Sequence, residues 1–161
     1  MATVPCTLED LETELLGLVQ ELDVFKEKAF SIFGLEDLER LSAEQAGRLP
    51  IVGVGYDGAV PKGNQGNPGG EGISGAAFVD IQFLIVIAVN YVSNGQSDNK
   101  QSAMSLLHEI RKKCIGYRNV NTRSWRFIGE RPEAGASMDG LIFYSQVWQT
   151  SVPFVGSQNN P

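Results

Sequence analysis

Residues 78–91 read FVDIQFLIVIAVNY, and the fold is decided there. From Phe83 to Val89 the run is apolar at successive positions, not at alternate ones. A strand with one wet face alternates apolar and polar side chains, whereas a strand covered on both faces does not. Phe78 to Tyr91 is therefore expected as the central strand of a sheet. The run is rich in β-branched residues and well short of the roughly 20 apolar residues that cross a bilayer as a helix. No membrane span is expected.

Upstream lies the most irregular stretch, residues 57–76, reading DGAVPKGNQGNPGGEGISGA. Its glycines and prolines leave few side chains to pack and much backbone freedom to lose, so a flexible loop is expected. Before it, Ile51 to Tyr56 reads as a strand opened by Pro50, whose missing N–H costs least at a strand start. Leu35 to Ala46 places Leu35, Leu38 and Leu41 on one side of a short helix, with Gly47 as its stop. Gly34 ends the preceding element, Val24 to Phe30, whose brief alternation predicts a strand. Further back, Leu8, Leu11, Leu15, Leu18 and Leu22 follow a three-four spacing on one helical face, with a break near Asp23. Thr7 stands as the N-cap, and Asp10 supplies an acid in the first turn.

Downstream, Asn94-Gly95 and Ser97-Asp98 signal a turn. A helix from about Asn99 to Ile115 then carries Ala103, Leu106, Leu107 and Ile110 inward, and Gly116 closes it. Ser124 to Gly129 is expected as a short strand and Met138 to Phe154 as a long one interrupted by a bulge. The polar end, residues 156–161, is expected to fray. The order helix, strand, helix, strand, strand, helix, strand, strand describes an α+β fold, a single mixed or antiparallel β-sheet with helices packed on one face. A chain of 161 residues fits one domain.

Composition narrows the function classes. The first residues, Met1 to Pro5, have neither a basic region nor an apolar core, so no signal peptide is expected. Cys6 and Cys114 stand far apart and form no metal or redox spacing, which fits synthesis in a reducing cytoplasm. The net charge of −6 opposes general or sequence-specific nucleic-acid binding, which needs a basic surface to neutralise phosphates. The charge is uneven along the chain. Residues 9–44 carry 11 of the 19 acidic residues and 3 of the 13 basic ones. A second segment is basic: Arg111, Lys112, Lys113, Arg118, Arg123, Arg126 and Arg131. Such asymmetry is either a solvated surface or a means for one end of a subunit to attract the other end of its neighbour.

Motifs that would carry chemistry are weak. Gly53, Gly55 and Gly58 have the spacing of a dinucleotide-binding turn, but that motif must open a helix, and Val60-Pro61 and a glycine-rich stretch follow instead. His108 lacks the second histidine of a helical zinc site. No serine sits in a G-x-S-x-G elbow. Cys114 lies beside Lys112 and Lys113, which favour a thiolate, but at a helix C-terminus, which opposes one, and it reads as structural. Trp125, Phe127, Tyr144 and Trp148 fall on expected strands and read as sheet core before they read as a base-stacking platform. No enzyme activity, cofactor or metal is expected.

A family resemblance runs through most of the chain, from about residue 8 to 154. Arg48-Leu49-Pro50-Ile51-Val52-Gly53-Val54-Gly55-Tyr56 precedes a flexible loop and a long apolar strand ending Val89-Asn90-Tyr91. The helix segment Leu106-Leu107-His108-Glu109-Ile110-Arg111 follows, then Trp125-Arg126-Phe127-Ile128-Gly129-Glu130 and a closing strand with Leu141-Ile142-Phe143-Tyr144. In this order the sequence resembles the Mu-like phage tail terminator, or tail completion, proteins of long-tailed bacteriophages. The resemblance implies a sheet flanked by helices, six copies of which form a ring. That ring would cap the tail tube, end its polymerisation and connect tail to neck. The implied partners are further copies of the chain, the tail tube protein, and the sheath and neck or head-tail connector proteins. The implied location is the tail-neck junction of the virion, after assembly in the host cytoplasm.

A ring needs a heterologous contact, one patch binding a different patch on the next copy. The acidic N-terminal third and a basic set, Arg111, Lys112, Lys113, Arg123, Arg126 and Arg131, are the candidates for those patches. The alternatives are another ring-forming neck or head-tail adaptor and a small-ligand-binding domain that uses the loop after Ile51 to Tyr56.

Overall fold

A capping box opens the first helix. The Thr7 hydroxyl accepts from Asp10 N at 3.1 Å, and Asp10 Oδ2 accepts from Thr7 N at 2.9 Å. Two amides at the helix start are thereby satisfied, a contribution of about 1 kcal/mol. The computed structural model describes residues 7–45, 48–61, 76–90, 96–118, 123–133 and 140–155. Within them the order is α1 (Leu8–Gln20), a 3-10 turn (Asp23–Phe25), β1 (Ala29–Ser31), α2 (Leu35–Glu44), β2 (Ile51–Pro61), β3 (Ala76–Asn90), α3 (Gln96–Cys114), β4 (Arg126–Pro132) and β5 (Leu141–Val155). The strands form one mixed sheet in the order β1-β2-β3-β5-β4, with β1 parallel to β2 and the other pairs antiparallel. This is the expected α+β architecture with β3 at its centre.

The two sides of β3 explain its unbroken apolar run. On one side Phe83, Ile85, Ile87 and Val89 join Val52, Val54 and Trp148 beneath Leu11, Leu15 and Leu18 of α1 and Ala103, Leu107 and Ile110 of α3. On the other side Val86 and Ala88 join Ile51, Phe143 and Ile32 beneath Leu38 of α2. The helices therefore do not all share one face as expected: α1 and α3 lie on one and α2 on the other. Leu35, Leu38 and Leu41 show which side of α2 is apolar, but not which side of the sheet it meets.

One row of rings crosses four strands on the α1/α3 face. Tyr56 stands opposite Phe83, Phe83 opposite Trp148, and Trp148 opposite Phe127. Two of these pairs meet edge to face, with centroids 5.8 Å apart for Tyr56–Phe83 and 5.4 Å for Phe127–Trp148. Trp125 meets Phe83 in the same way at 5.8 Å. Gln146 lies wholly buried beside this row and is fully engaged. It donates to Leu107 O at 3.0 Å and Glu130 Oε1 at 2.7 Å, and accepts from Trp148 Nε1 at 3.0 Å. It ties α3 to β4 and β5.

Several boundaries differ from expectation. Residues 57–61 and Ala76, expected in a loop, continue β2 and begin β3, because β3 supplies the ladder of β2 as far as Pro61↔Val79 and β5 supplies that of Ala76 through Val155. The ladder is kept by a bulge at Asp57 and by Gly58, whose φ of 146° suits only glycine. Residues 62–75 lie outside the described residues. The strand expected at Val24 to Phe30 is reduced to Ala29–Ser31, since Phe25 is buried from a 3-10 turn. Leu8 is exposed although it shares the α1 spacing. Helix α3 starts at Gln96, so Ser97 and Asp98 sit in its first turn, a position these residues favour as much as a turn. The register of β5 on β3 runs unbroken, and the bulge expected in β5 lies instead in β4, at Ile128. Gly47, the Asn94-Gly95 turn and residues 156–161 lie outside the described residues.

Candidate subunit-contact surface

The sheet has two edges, and they differ. At the first, β1 covers β2 only from Val52 to Val54. Among the described residues no strand lies outside β2 from Gly55 to Pro61, so its outward amides and carbonyls remain open for pairing. Tyr56 and Val60 are exposed on this stretch. The chain leaving β1 crosses β2 at Ile32, and Gly53 and Gly55 make the crossing possible. A Cβ on Gly55 would stand 2.4 Å from Ile32 O, and one on Gly53 would stand 2.7 Å from Ile32 Cδ1. The glycine spacing that resembles a nucleotide motif is thus a packing device.

Directly after the crossing comes Phe33, with 100% of its surface exposed. Its backbone is held in place, since Asp37 Oδ2 accepts from Phe33 N at 2.9 Å at the start of α2. Phe33, Gly34, Leu35, Glu36 and Asp37 border a shallow depression of about 490 Å³. An uncovered phenylalanine on a fixed backbone forfeits most of the stabilisation its burial would bring, about 2 kcal/mol or more.

The second edge is β4. Ile128 is exposed at its bulge. The segment joining α3 to β4 doubles back: Gly116 N donates to Trp125 O at 3.2 Å and Trp125 N to Tyr117 O at 2.9 Å. A bridge at Arg118↔Ser124 and the φ of 73° at Gly116 complete the turn. It buries Trp125 while leaving Ile115 60% exposed and Tyr117 42% exposed.

The six basic residues expected to form one patch are spread over the molecule, and most hold an acid of their own chain. Arg111 on α3 lies 3.5 Å from Glu130 and 5.8 Å above the Phe127 ring. Lys112 pairs with Glu109 at 3.4 Å, and Lys113 pairs with Glu21 at the end of α1. Arg126 reaches Asp80 at 3.8 Å and Arg131 reaches Glu133 at 3.2 Å, both on the sheet face opposite α3. Arg123 is exposed before β4. Acidic and basic segments thus meet within one copy through Glu21–Lys113. Reversing charge at 111–113 would place like charges against Glu130 and Glu21, so it would perturb the fold as well as any contact.

The other candidates resolve as packing. Trp125 and Trp148 are buried, and Phe127 and Tyr144 are half-buried against the same core. Cys114 is buried, and desolvation lifts its thiol from 9.0 to about 12 against the smaller, opposite pull of Lys113. His108 is exposed on α3. Among the described residues no cluster of three or more His, Cys, Asp or Glu is placed to hold a metal ion. No described helix is long and apolar enough to cross a membrane.

Phe33, Ile115 and Tyr117 are not distinguishable in the sequence as surface residues. Each is apolar beside an apolar element, and only the crossing at Ile32 and the turn at Gly116 put them outside. No family model matches this chain, and no curated protein matches its sequence.

Proposed function

We propose that this chain is a structural virion protein, a tail terminator subunit that forms a six-membered ring on the end of the tail tube. In that role the ring ends tube polymerisation and offers its far side to the neck. The reading rests on the ordered resemblance from Arg48 to Tyr144, and the fold agrees with what that resemblance implies. The observation that carries it is the inequality of the two edges. Exposed apolar side chains stand on both, Tyr56 and Val60 on β2 and Ile128 on β4, while Phe33 follows β1 and Ile115 and Tyr117 precede β4 along the chain. Two unlike sticky edges on opposite sides of a sheet favour head-to-tail contact, which closes into a ring when the rotation between copies divides a full turn. An isologous dimer would cover one edge and leave the other wet.

The function is tested with purified tail tube protein. Added to growing tubes, the chain should stop elongation and appear as a cap at one end of each tube in particle images. Tubes that lengthen at the same rate with the chain absent or in excess would contradict the reading.

A further inference from the structure

We infer that the contact between neighbouring copies seats Phe33 of one against Ile115 and Tyr117 of the next, with Glu36 facing Arg118. This rests on the ring reading above and names the surface that makes the ring.

Three observations carry it. Phe33 is the most exposed large apolar side chain among the described residues, and its amide is already bonded to Asp37, so little backbone entropy remains to be lost on docking. Its complement is an exposed apolar surface, and Ile115 and Tyr117 provide one on a turn fixed by backbone bonds to Trp125. The charges beside the two sites are complementary. Glu36 and Asp37 flank Phe33 in the first turn of α2, while Lys112 and Arg118 flank Ile115 and Tyr117. Asp37 and Lys112 are engaged with Arg40 and Glu109, whereas Glu36 and Arg118 have no ion-pair partner among the described residues. A buried aromatic anchor ringed by complementary charge is the usual make-up of an interface hot spot.

The test is a set of full-length variants examined by light scattering over a dilution series. Phe33→Asp should weaken assembly about tenfold or more, with unchanged far-ultraviolet circular dichroism because the side chain has no packing to lose. Glu36→Lys and Arg118→Glu should each weaken assembly, and the double exchange should restore it. If the wild-type chain assembles and all of these variants assemble equally well, the contact is wrong and the ring reading survives. If the wild-type chain stays monomeric with and without tube protein, the ring reading fails and the contact fails with it.

Discussion

On one face of the sheet, Phe83, Trp148 and Ile85 lie under two helices; on the other, Val86 and Ala88 lie under the single short helix α2, and the ladder then turns polar. Beyond α2 that second face presents Gln82 bonded to Gln149 at 2.8 Å, Asp80 bonded to Ser151, and Arg126 within 3.8 Å of Asp80. The same strand, β3, is thus apolar on both sides from Phe83 to Val89 and alternating at Asp80 and Gln82. A strand's pattern reports what covers it, position by position. The face under α1 and α3 carries the continuous core, and the face under α2 holds a local one.

The contrast between the faces is broken most severely at the aromatic row. Phe83→Ala should cost about 4 kcal/mol in denaturant unfolding, because it empties the centre of that row. Leu38→Ala should cost about 2 kcal/mol and raise hydrogen exchange chiefly in α2. Equal costs, with exchange raised throughout, would show that the two faces form one core.

The crossing of Ile32 over β2 gives a sharper contrast between neighbours. Gly55→Ala meets a backbone oxygen at 2.4 Å, and Gly53→Ala meets the movable end of a side chain at 2.7 Å. The first should destabilise by about 3 kcal/mol and the second by about 1 kcal/mol in the same assay. A reversed order would mean that the chain after β1 does not cross there.

On the polar part of the second face, Arg126→Ala should change stability by less than about 1 kcal/mol, since Arg126 is more than half exposed. A larger loss would mark that face as covered. The smallest effect at neutral pH is at Cys114. Its folded thiol lies above its unfolded value, so its contribution is complete below about pH 9 and declines as pH rises toward 12. At pH 8 a thiol reagent should modify Cys114 only as fast as the protein unfolds. Rapid labelling of folded protein would contradict its burial.

Much of this was legible in the sequence, for identifiable reasons. Helix α1 follows from its leucine spacing and the Thr7–Asp10 box, and β3 from its apolar run. The order of the helices and strands among the described residues follows from the change of period between them. What stayed hidden depends on partners distant in sequence. Asp57 to Pro61 looks like loop because Gly58 and Pro61 are loop residues, and only the ladder with β3 makes it a strand. The side of the sheet taken by α2 depends on how the chain crosses at Ile32, which Gly53 and Gly55 permit but do not announce. The basic residues look like one patch in sequence, yet Arg111 turns toward Glu130 while Arg126 and Arg131 emerge on the other face. Phe33 carries no periodic signal at all, and its exposure follows from the crossing just before it.

The central claim is that unlike edges of one sheet bind each other around a closed ring. It is tested most directly by the mass in solution from light scattering coupled to size exclusion, with particle images of the same fraction. The account predicts a six-fold ring, either alone or on addition of tail tube protein. A strict monomer, or a two-fold dimer indifferent to tube protein, would contradict it.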